Sequence, residues 1–268
     1  MSLDLRTATG AEVRAACRAG RWDRPTVGLA TGYVQANVVI LPADLAGDFE
    51  DFCRANPVPC PVLERTPVGG YEPAVYAPGG DLRRDAPRYR IYRHGFADTN
   101  DPVDVMAEWH DGMCGFLLGC SFTFEAALQR AGLPLRHVEQ GVNVPMYRTT
   151  TACVPVGPFA GPMVVSMRPM PAGRVDEAIA VTRRYPMVHG APVHVGDPAA
   201  IGIRDLQRPD WGDRVEIRTN EVPVFWGCGV TPQAVAQAVR PSLMITHTPG
   251  HMFVTDRLDA ELEDRAVV

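Results

Sequence analysis

Lysine is absent from this sequence of 268 residues, and all 26 of its basic residues are arginine. The absence excludes a lysine Schiff base, a lysine anchor for pyridoxal phosphate and the lysine of a phosphate-binding loop. We therefore expect an anionic ligand to be recognised by arginine, by backbone amides or by a metal.

Common signatures of cofactor binding and hydrolysis are also missing. The sequence has no GxGxxG after a strand-like run, no phosphate loop, no GxSxG and no HExxH. Those motifs mark nucleotide-dependent enzymes, serine hydrolases and zinc proteases. The seven cysteines are scattered and contain no CxxC pair, so neither a zinc ribbon nor a dithiol redox site is indicated. We expect reduced thiols and no nucleotide, flavin or pyridoxal phosphate cofactor.

Charge and hydrophobicity indicate an ordinary soluble protein. Hydrophobic residues make up 46% of the chain, charged residues 21%, and the formal net charge is −5. Nucleic acid is not an expected partner, because no basic run is present to face its phosphates. No segment approaches the ~20 apolar residues of a membrane span. The amino terminus lacks the residue order of a secretion signal, so we expect a cytoplasmic protein, and its hydrophobic strands are compatible with a homodimer.

Local patterns predict helices and strands along most of the chain. Apolar periodicity and end signals predict helices over residues 9–19, 43–56, 101–112 and 175–185, and in the charged tail after residue 256. Alternating or β-branched runs predict strands over residues 62–65, 74–76, 89–95, 144–149 and 163–170.

Two junctions share one design of strand, tight turn and helix. An apolar run over residues 116–118 meets Gly119, Cys120 and Ser121, and a second run over residues 222–226 meets a turn of the same kind, with Cys228 between two glycines. A helix is predicted after each turn, the second capped by Thr231 with a proline at its first position. In open α/β sheets such turns can present helix-start amides to an anion. We therefore predict substrate-binding roles for Cys120, Ser121, Gly229 and Thr231.

These patterns predict an α/β fold with a mixed sheet flanked by helices and a smaller inserted α+β domain of two layers. The main domain is expected to be discontinuous, over residues 1–132 and 205–268. The inserted domain is expected over residues 133–204.

The stretch HGAPVHVGDP concentrates ionisable side chains in a loop, where functional residues are enriched. His194 and Asp197 are candidate ligands of a divalent metal, and His189 is a candidate catalytic acid or base. The alternative is structural: a histidine that binds buried carbonyls, and an aspartate that caps a turn.

The stretch THTPGHMFVTD places polar groups directly after an apolar run. His251 is the candidate catalytic base or acid, because imidazole titrates near neutral pH, and Gly250 is a candidate for substrate contact. His247 could instead be a hydrogen-bonded residue of the core.

Other candidates lie on the predicted turns and strands. Cys228 and Cys120 stand where a helix start would favour a thiolate, although small buried residues also suit a tight turn. Glu125 is either a cap partner of Ser121 or a catalytic carboxylate. Arg148 and Arg168 lie in strand-like surroundings, where each either clamps a substrate carboxylate or pairs with an acid of the protein.

A series of ordered blocks identifies the chain as similar to a known family. The blocks are GYVQANVVILP, PGGDLRRDAPRYRIYRHG, FLLGCSFTFEAAL, VPMYRT, GPMVVSMRP, HGAPVHVGDPAAIGI, VPVFWGCGVTPQ and THTPGHMFVTD. Together they resemble the bacterial hydro-lyase family related to D-glutamate cyclase. The resemblance implies a two-part α/β fold and, for the cyclase branch, conversion of D-glutamate to 5-oxo-D-proline and water with a divalent metal such as manganese. One difference is TTTACV at residues 149–154, where relatives tend to carry asparagine after the first threonine.

The expected function is therefore a hydro-lyase reaction on a small carboxylate or amino acid. Lactam formation requires a base for the amine, an activated carboxylate and help for the departing water, and the histidine loops and glycine turns supply suitable groups. One alternative is a hydratase or dehydratase that acts on another biosynthetic intermediate. A second is a non-catalytic protein that binds small acids.

Overall fold

A computed structural model describes residues 4–264 of the chain. Its helices are α1 (Gly10–Arg18), α2 (Ala43–Ala55), α3 (Phe122–Arg130), α4 (Arg136–Gln140), α5 (Val175–Arg183) and α6 (Thr231–Val239). Its strands are β1 (Tyr33–Pro42), β2 (Val62–Arg65), β3 (Tyr89–Arg93), β4 (Phe96–Ala97), β5 (Met113–Gly119), β6 (Met146–Ala152), β7 (Pro162–Pro171), β8 (His194–Val195), β9 (Glu221–Gly227), β10 (Met244–His247) and β11 (Phe253–Leu258). No helix of this described part is both long and apolar enough to cross a membrane.

The larger sheet has seven strands in the order β2-β5-β1-β10-β3-β4, and β11 also pairs with β1. β1 is buried on both faces because its side chains alternate between two cores. Val38 and Ile40 pack with Phe253 on one face, and Val39 packs with Phe49 on the other. The chain thus buries β1 between two hydrophobic cores at the centre of the sheet.

The second sheet has four strands in the order β6-β7-β9-β8. Helices α3 and α5 cover it, with Phe124, Leu128 and Tyr185 packed around the buried Trp226. The predicted α/β fold with a smaller second sheet is confirmed. The prediction of a mixed sheet is wrong, because every strand pairing within residues 4–264 is antiparallel.

The domain boundaries stay a prediction. The division of the strands between the two sheets does not follow the predicted boundary at residue 205. The prediction put residues 205–268 in the main domain. β9, at Glu221–Gly227, pairs with β7 and β8 in the second sheet. Apolar runs show where strands lie, but they do not show which sheet a strand joins.

Three predicted elements are wrong, and long-range contacts explain two of them. Residues 101–112 form turns rather than a helix, because Asp101 pairs with Arg90 on β3 and the Pro102 carbonyl accepts the Tyr89 N–H. The predicted strand at residues 74–76 is a turn whose N–H groups donate to the Glu64 carboxylate. After residue 256 the chain completes β11 and forms a short 3-10 turn instead of a helix. The last four residues of that predicted helix lie outside the described residues.

Candidate active site

The partner strand of β1 changes halfway along it. β10 lies opposite Val39 and Ile40, whereas β11 lies opposite residues 33–36. Asn37 and Val38 fall at the change, and the loop of residues 248–252 joins the two partner strands there. On this side of β1, Asn37 and Val38 therefore lack a paired strand residue, and a side chain can occupy the space beside them.

His247 fills part of this space. The N–H of Val38 points at its Nδ1 at 3.2 Å, while the Val38 carbonyl is farther away at 3.4 Å. Because the backbone fixes the direction of the N–H, Nδ1 accepts and the imidazole proton lies on Nε2. Burial lowers the pKa of His247 to about 3, so the ring is a neutral donor at neutral pH.

The loop after β10 is held from two sides. The Pro249 carbonyl accepts a hydrogen bond from Nδ2 of Asn143 at 3.2 Å, and the Gly250 carbonyl accepts one from the N–H of Thr26 at 2.9 Å. Gly250 has a φ of +85°, and a Cβ there would lie 2.3 Å from Nδ2 of Asn143. The close approach of Asn143 therefore requires glycine at this position.

Three buried polar atoms around this loop have no hydrogen-bond partner among residues 4–264. They are Nε2 of His247, Oγ1 of Thr248 and Oδ1 of Asn143. A buried polar group without a partner costs about 1–3 kcal/mol, so such groups are rare unless a ligand or water completes them. His247 and Thr248 thus each carry a hydrogen-bond donor without a partner, and Asn143 carries an acceptor without a partner.

His251 lies on the same loop and is partly buried. Its Nδ1 is 3.2 Å from the Pro249 carbonyl, and a carbonyl can only accept, so Nδ1 carries the proton and Nε2 keeps its lone pair. Burial lowers the pKa of His251 below its usual value of 6.5. The imidazole is consequently neutral at pH 7, with Nε2 available as a base.

The two predicted strand-turn-helix junctions are confirmed, and they meet. Cys120 and Cys228 belong to one buried cluster that also contains Met252 of the histidine loop. Burial raises the pKa of Cys228 to about 11 and also raises that of Cys120, so both are neutral thiols near pH 7. A Cβ at Gly229 would lie 2.0 Å from Nδ2 of Asn37.

Thr231 does not cap the helix as predicted, because it is the first residue of α6. Its hydroxyl accepts the N–H of Val164 at 3.0 Å and donates to the Cys228 carbonyl at 2.7 Å. Thr231 thereby joins β7 to the second turn, and its predicted contact with substrate stays a prediction.

Arg168 and Glu125 form a buried pair beside the first turn. Nε of Arg168 donates to Glu125 at 3.0 Å, and its two terminal nitrogens donate to Ser121 and Ser166 at 3.0 and 3.1 Å. Burial alone would raise the pKa of Glu125, but His137 and Arg168 lower it to about 2. Of the two predicted alternatives for Arg168, this geometry favours a salt bridge within the protein, and Glu125 is fully ionised.

His189 lies close to the same turn, with Nδ1 donating to the Val58 carbonyl at 2.7 Å. Burial lowers its pKa to about 4, so it is neutral at pH 7. The contact matches the structural alternative stated for this loop, and its catalytic role stays a prediction.

The remaining candidates are not brought to the histidine loop. Arg148 is exposed and donates to Gln237 at 2.7 Å. Nε2 of His194 bonds the Asp197 carbonyl at 2.7 Å, and the Asp197 carboxylate caps a 3-10 turn through the Ala199 N–H. Within residues 4–264 no three His, Cys, Asp or Glu side chains converge as a metal would require. His194 and Asp197 as arranged do not fit a metal site, and the metal stays a prediction.

Sequence reasoning missed Asn143, Thr248 and Asn37 as site residues. Thr248 lies inside the quoted THTPGH block and could have been found there. Asn143 contacts Pro249 across 106 residues of chain, and no local pattern signals such a contact.

The fold and the site define an α/β protein with a polar, histidine-bearing loop where its two antiparallel sheets meet. A sequence model of the family described as D-glutamate cyclase matches residues 114–256. A protein named "Putative hydro-lyase" from Stutzerimonas stutzeri (strain A1501) is 58% identical over 252 residues, which cover 94% of this chain and 95% of the relative. "Putative hydro-lyase YcsI" from Bacillus subtilis (strain 168) is 54% identical over 251 residues, covering 94% and 97%. The chain belongs to the D-glutamate cyclase family.

Proposed function

We propose that this protein is a hydro-lyase that acts on a small amino-acid carboxylate, and that D-glutamate, cyclised to 5-oxo-D-proline and water, is the substrate to test first. The observation that carries the proposal is the group of buried, unpartnered polar atoms on and beside the loop of residues 248–252. Membership of the family and the names of the relatives support the reaction class.

The unpartnered atoms complement an amino acid. Nε2–H of His247 and the hydroxyl of Thr248 can donate to carboxylate oxygens, and Oδ1 of Asn143 can accept from an ammonium group. All three side chains are at least nine-tenths buried. Hydrogen bonds to charged groups in such surroundings are worth roughly 1.5–3 kcal/mol each, which favours a charged ligand over water.

His251 supplies the acid–base chemistry in this scheme. Its neutral Nε2 removes a proton from the ammonium group, and the freed amine attacks the γ-carboxyl carbon, so that a C–N bond forms and a C–O bond breaks. Of the three ammonium protons, one stays on the lactam nitrogen and two leave with the oxygen as water. His251 returns the proton that it took to the departing oxygen.

Neighbouring groups prepare the site without entering the bond changes. The neutral thiols of Cys120 and Cys228 and the side chain of Met252 form an apolar cluster beside the loop, which limits water near the reacting groups. The pair of Glu125 and Arg168 holds Ser121 at the first turn. Because His194 and Asp197 do not fit a metal, no step depends on one.

The first experiment incubates the purified protein with D-glutamate or L-glutamate, with and without manganese, and measures 5-oxoproline by mass spectrometry. We expect 5-oxoproline from D-glutamate. No product in any condition would reject this substrate, and ligand binding without product would favour the non-catalytic alternative.

The second experiment tests the proposed base. H251A should lower kcat by about 10²–10⁴-fold. The matched control is H110A, because His110 is exposed and has no role in the proposed reaction. Full turnover by H251A would remove His251 from the mechanism.

A further inference from the structure

A large open cavity lies near the amino terminus, apart from the histidine loop. Its volume is about 880 Å³, within the usual range of small-molecule sites. Leu5, Val27, Leu29 and Val138 form apolar parts of its wall. The cavity can therefore take the apolar body of a ligand.

Two exposed arginines on this wall, Arg21 and Arg24, keep their guanidinium N–H groups available. Neither Arg21 nor Arg24 makes a side-chain hydrogen bond or ion pair to an acceptor within the described part of the chain. The neighbouring acid Asp23 pairs directly with Arg88 at 2.5 Å, and it acts on Arg24 only through a longer-range coulombic interaction. Arg6 also lines the cavity, but Asp4 pairs with it at 3.1 Å. A net positive charge thus faces an apolar cavity.

Arg24 is also held in place. Its guanidinium lies 4.3 Å from the centre of the Trp22 ring, and the indole N–H donates to the Arg24 carbonyl at 2.8 Å. A stacked guanidinium keeps its N–H groups free for an oxyanion and loses little further entropy when it binds one.

We propose that this cavity binds a small amphipathic anion, with a carboxylate or phosphate head on Arg21 and Arg24 and an apolar body against Leu29 and Val138. The site is separate from the histidine loop, and the proposal does not depend on the reaction above. One hydrogen bond nevertheless links the cavity wall to that loop: the N–H of Thr26, next to Val27, donates to the Gly250 carbonyl.

Isothermal titration calorimetry on the full chain tests the proposal with octanoate, octyl phosphate, 1-octanol and acetate. We expect octanoate or octyl phosphate to bind, and the better of the two identifies the head group. Octanol lacks the charge and acetate lacks the apolar body, so each should bind at least about tenfold more weakly. Equal affinity for octanol, or no binding of either anion, overturns the proposal.

Variants locate the site. R21Q/R24Q should weaken binding of the anion by about tenfold or more. The control is R183Q, since Arg183 on α5 is likewise exposed and lies outside the cavity wall. V138D, which places a negative charge on the wall, should also weaken binding, whereas V193D on the exposed Val193 should not. Unchanged affinity in R21Q/R24Q, or an equal loss in R183Q, would refute this location.

Discussion

Arg168 and Glu125 form an ion pair in which the side chains are only 0% and 6% exposed. Ser121 and Ser166 accept further hydrogen bonds from the guanidinium, so its charge is neutralised and each of its three nitrogens donates at least one hydrogen bond. Such a pair holds α3 against β7 and fixes the turn that carries Cys120.

Replacing Glu125 should change how stability depends on pH. The pKa of Glu125 is about 2 in the folded protein against 4.5 ordinarily, so its contribution is present above pH 4.5 and is lost as the pH falls toward 2. The contribution is on the order of 3 kcal/mol. Urea unfolding at pH 7, 4.5 and 3 should show a flatter pH dependence for E125Q than for the wild type. E72Q, at the exposed Glu72, should keep the wild-type slope.

Two buried histidines should make the fold sensitive to mild acid. Burial lowers the pKa of His247 to about 3 and that of His189 to about 4. Unfolded histidine takes a proton near pH 6.5, so stability is complete above pH 6.5 and is lost as the pH falls below it. Each should cost roughly 1 kcal/mol at pH 5.5. H247Q should reduce the loss of unfolding free energy between pH 7 and 5.5. An unchanged loss would contradict the buried neutral ring, and H110Q is the control.

The unpartnered hydroxyl of Thr248 should make T248V stabilising and harmful to function. Valine has nearly the same shape and removes a buried hydroxyl without a partner, so the melting temperature should rise while KM for the substrate increases. T255V is the matched control, because the Thr255 hydroxyl donates to the Val34 carbonyl at 2.9 Å. T255V should lower the unfolding free energy by about 1–3 kcal/mol. A loss of stability in T248V would argue against a free hydroxyl.

Substitution of Gly250 should separate backbone strain from a steric clash. Gly250 and Gly196 have φ values of +85° and +90°, but a Cβ at Gly196 meets nothing within 4 Å, whereas one at Gly250 meets Asn143 at 2.3 Å. G196A should cost roughly 1–2 kcal/mol from strain alone. G250A should cost more and should also reduce turnover, because Asn143 or the loop must move. Equal effects of the two variants in unfolding and activity assays would show that the contact is unimportant.

The pH profile of kcat/KM should report His251. The base must be neutral, and burial lowers its pKa below 6.5, so activity should persist below pH 6.5 and then fall as the imidazole is protonated. Steady-state rates between pH 4.5 and 8 at constant ionic strength measure this limb. A fall in kcat/KM that is centred above pH 6.5 would point to a base other than His251.

Local patterns predicted much of the fold. Both strand-turn-helix junctions are where the sequence placed them, because an apolar run, glycine and a helix-forming segment act over a few neighbouring residues. The helix predicted at residues 101–112 failed because Asp101 and Pro102 bond to β3. That tertiary contact overrode a reasonable local preference.

The site was predicted in part. His251, Gly250 and the two cysteine turns were marked from the sequence, and Cys120 and Cys228 pack in one cluster with Met252, the residue after His251. His194, Asp197 and Arg148 looked equally functional in sequence but lie elsewhere. Ionisable residues in a loop show that the loop could take part in catalysis or binding. They do not show which loops come together in the fold.

The sequence by itself determined the α/β class, the family and the positions of most elements, because these follow from short-range periodicity and from ordered blocks of residues. The tertiary structure alone decided that both sheets are antiparallel, that Arg168 pairs with Glu125, and that Asn143 meets Pro249. These contacts join residues 43 and 106 positions apart. Their formation depends on how the whole chain closes its loops and packs its core, which no local window of sequence contains.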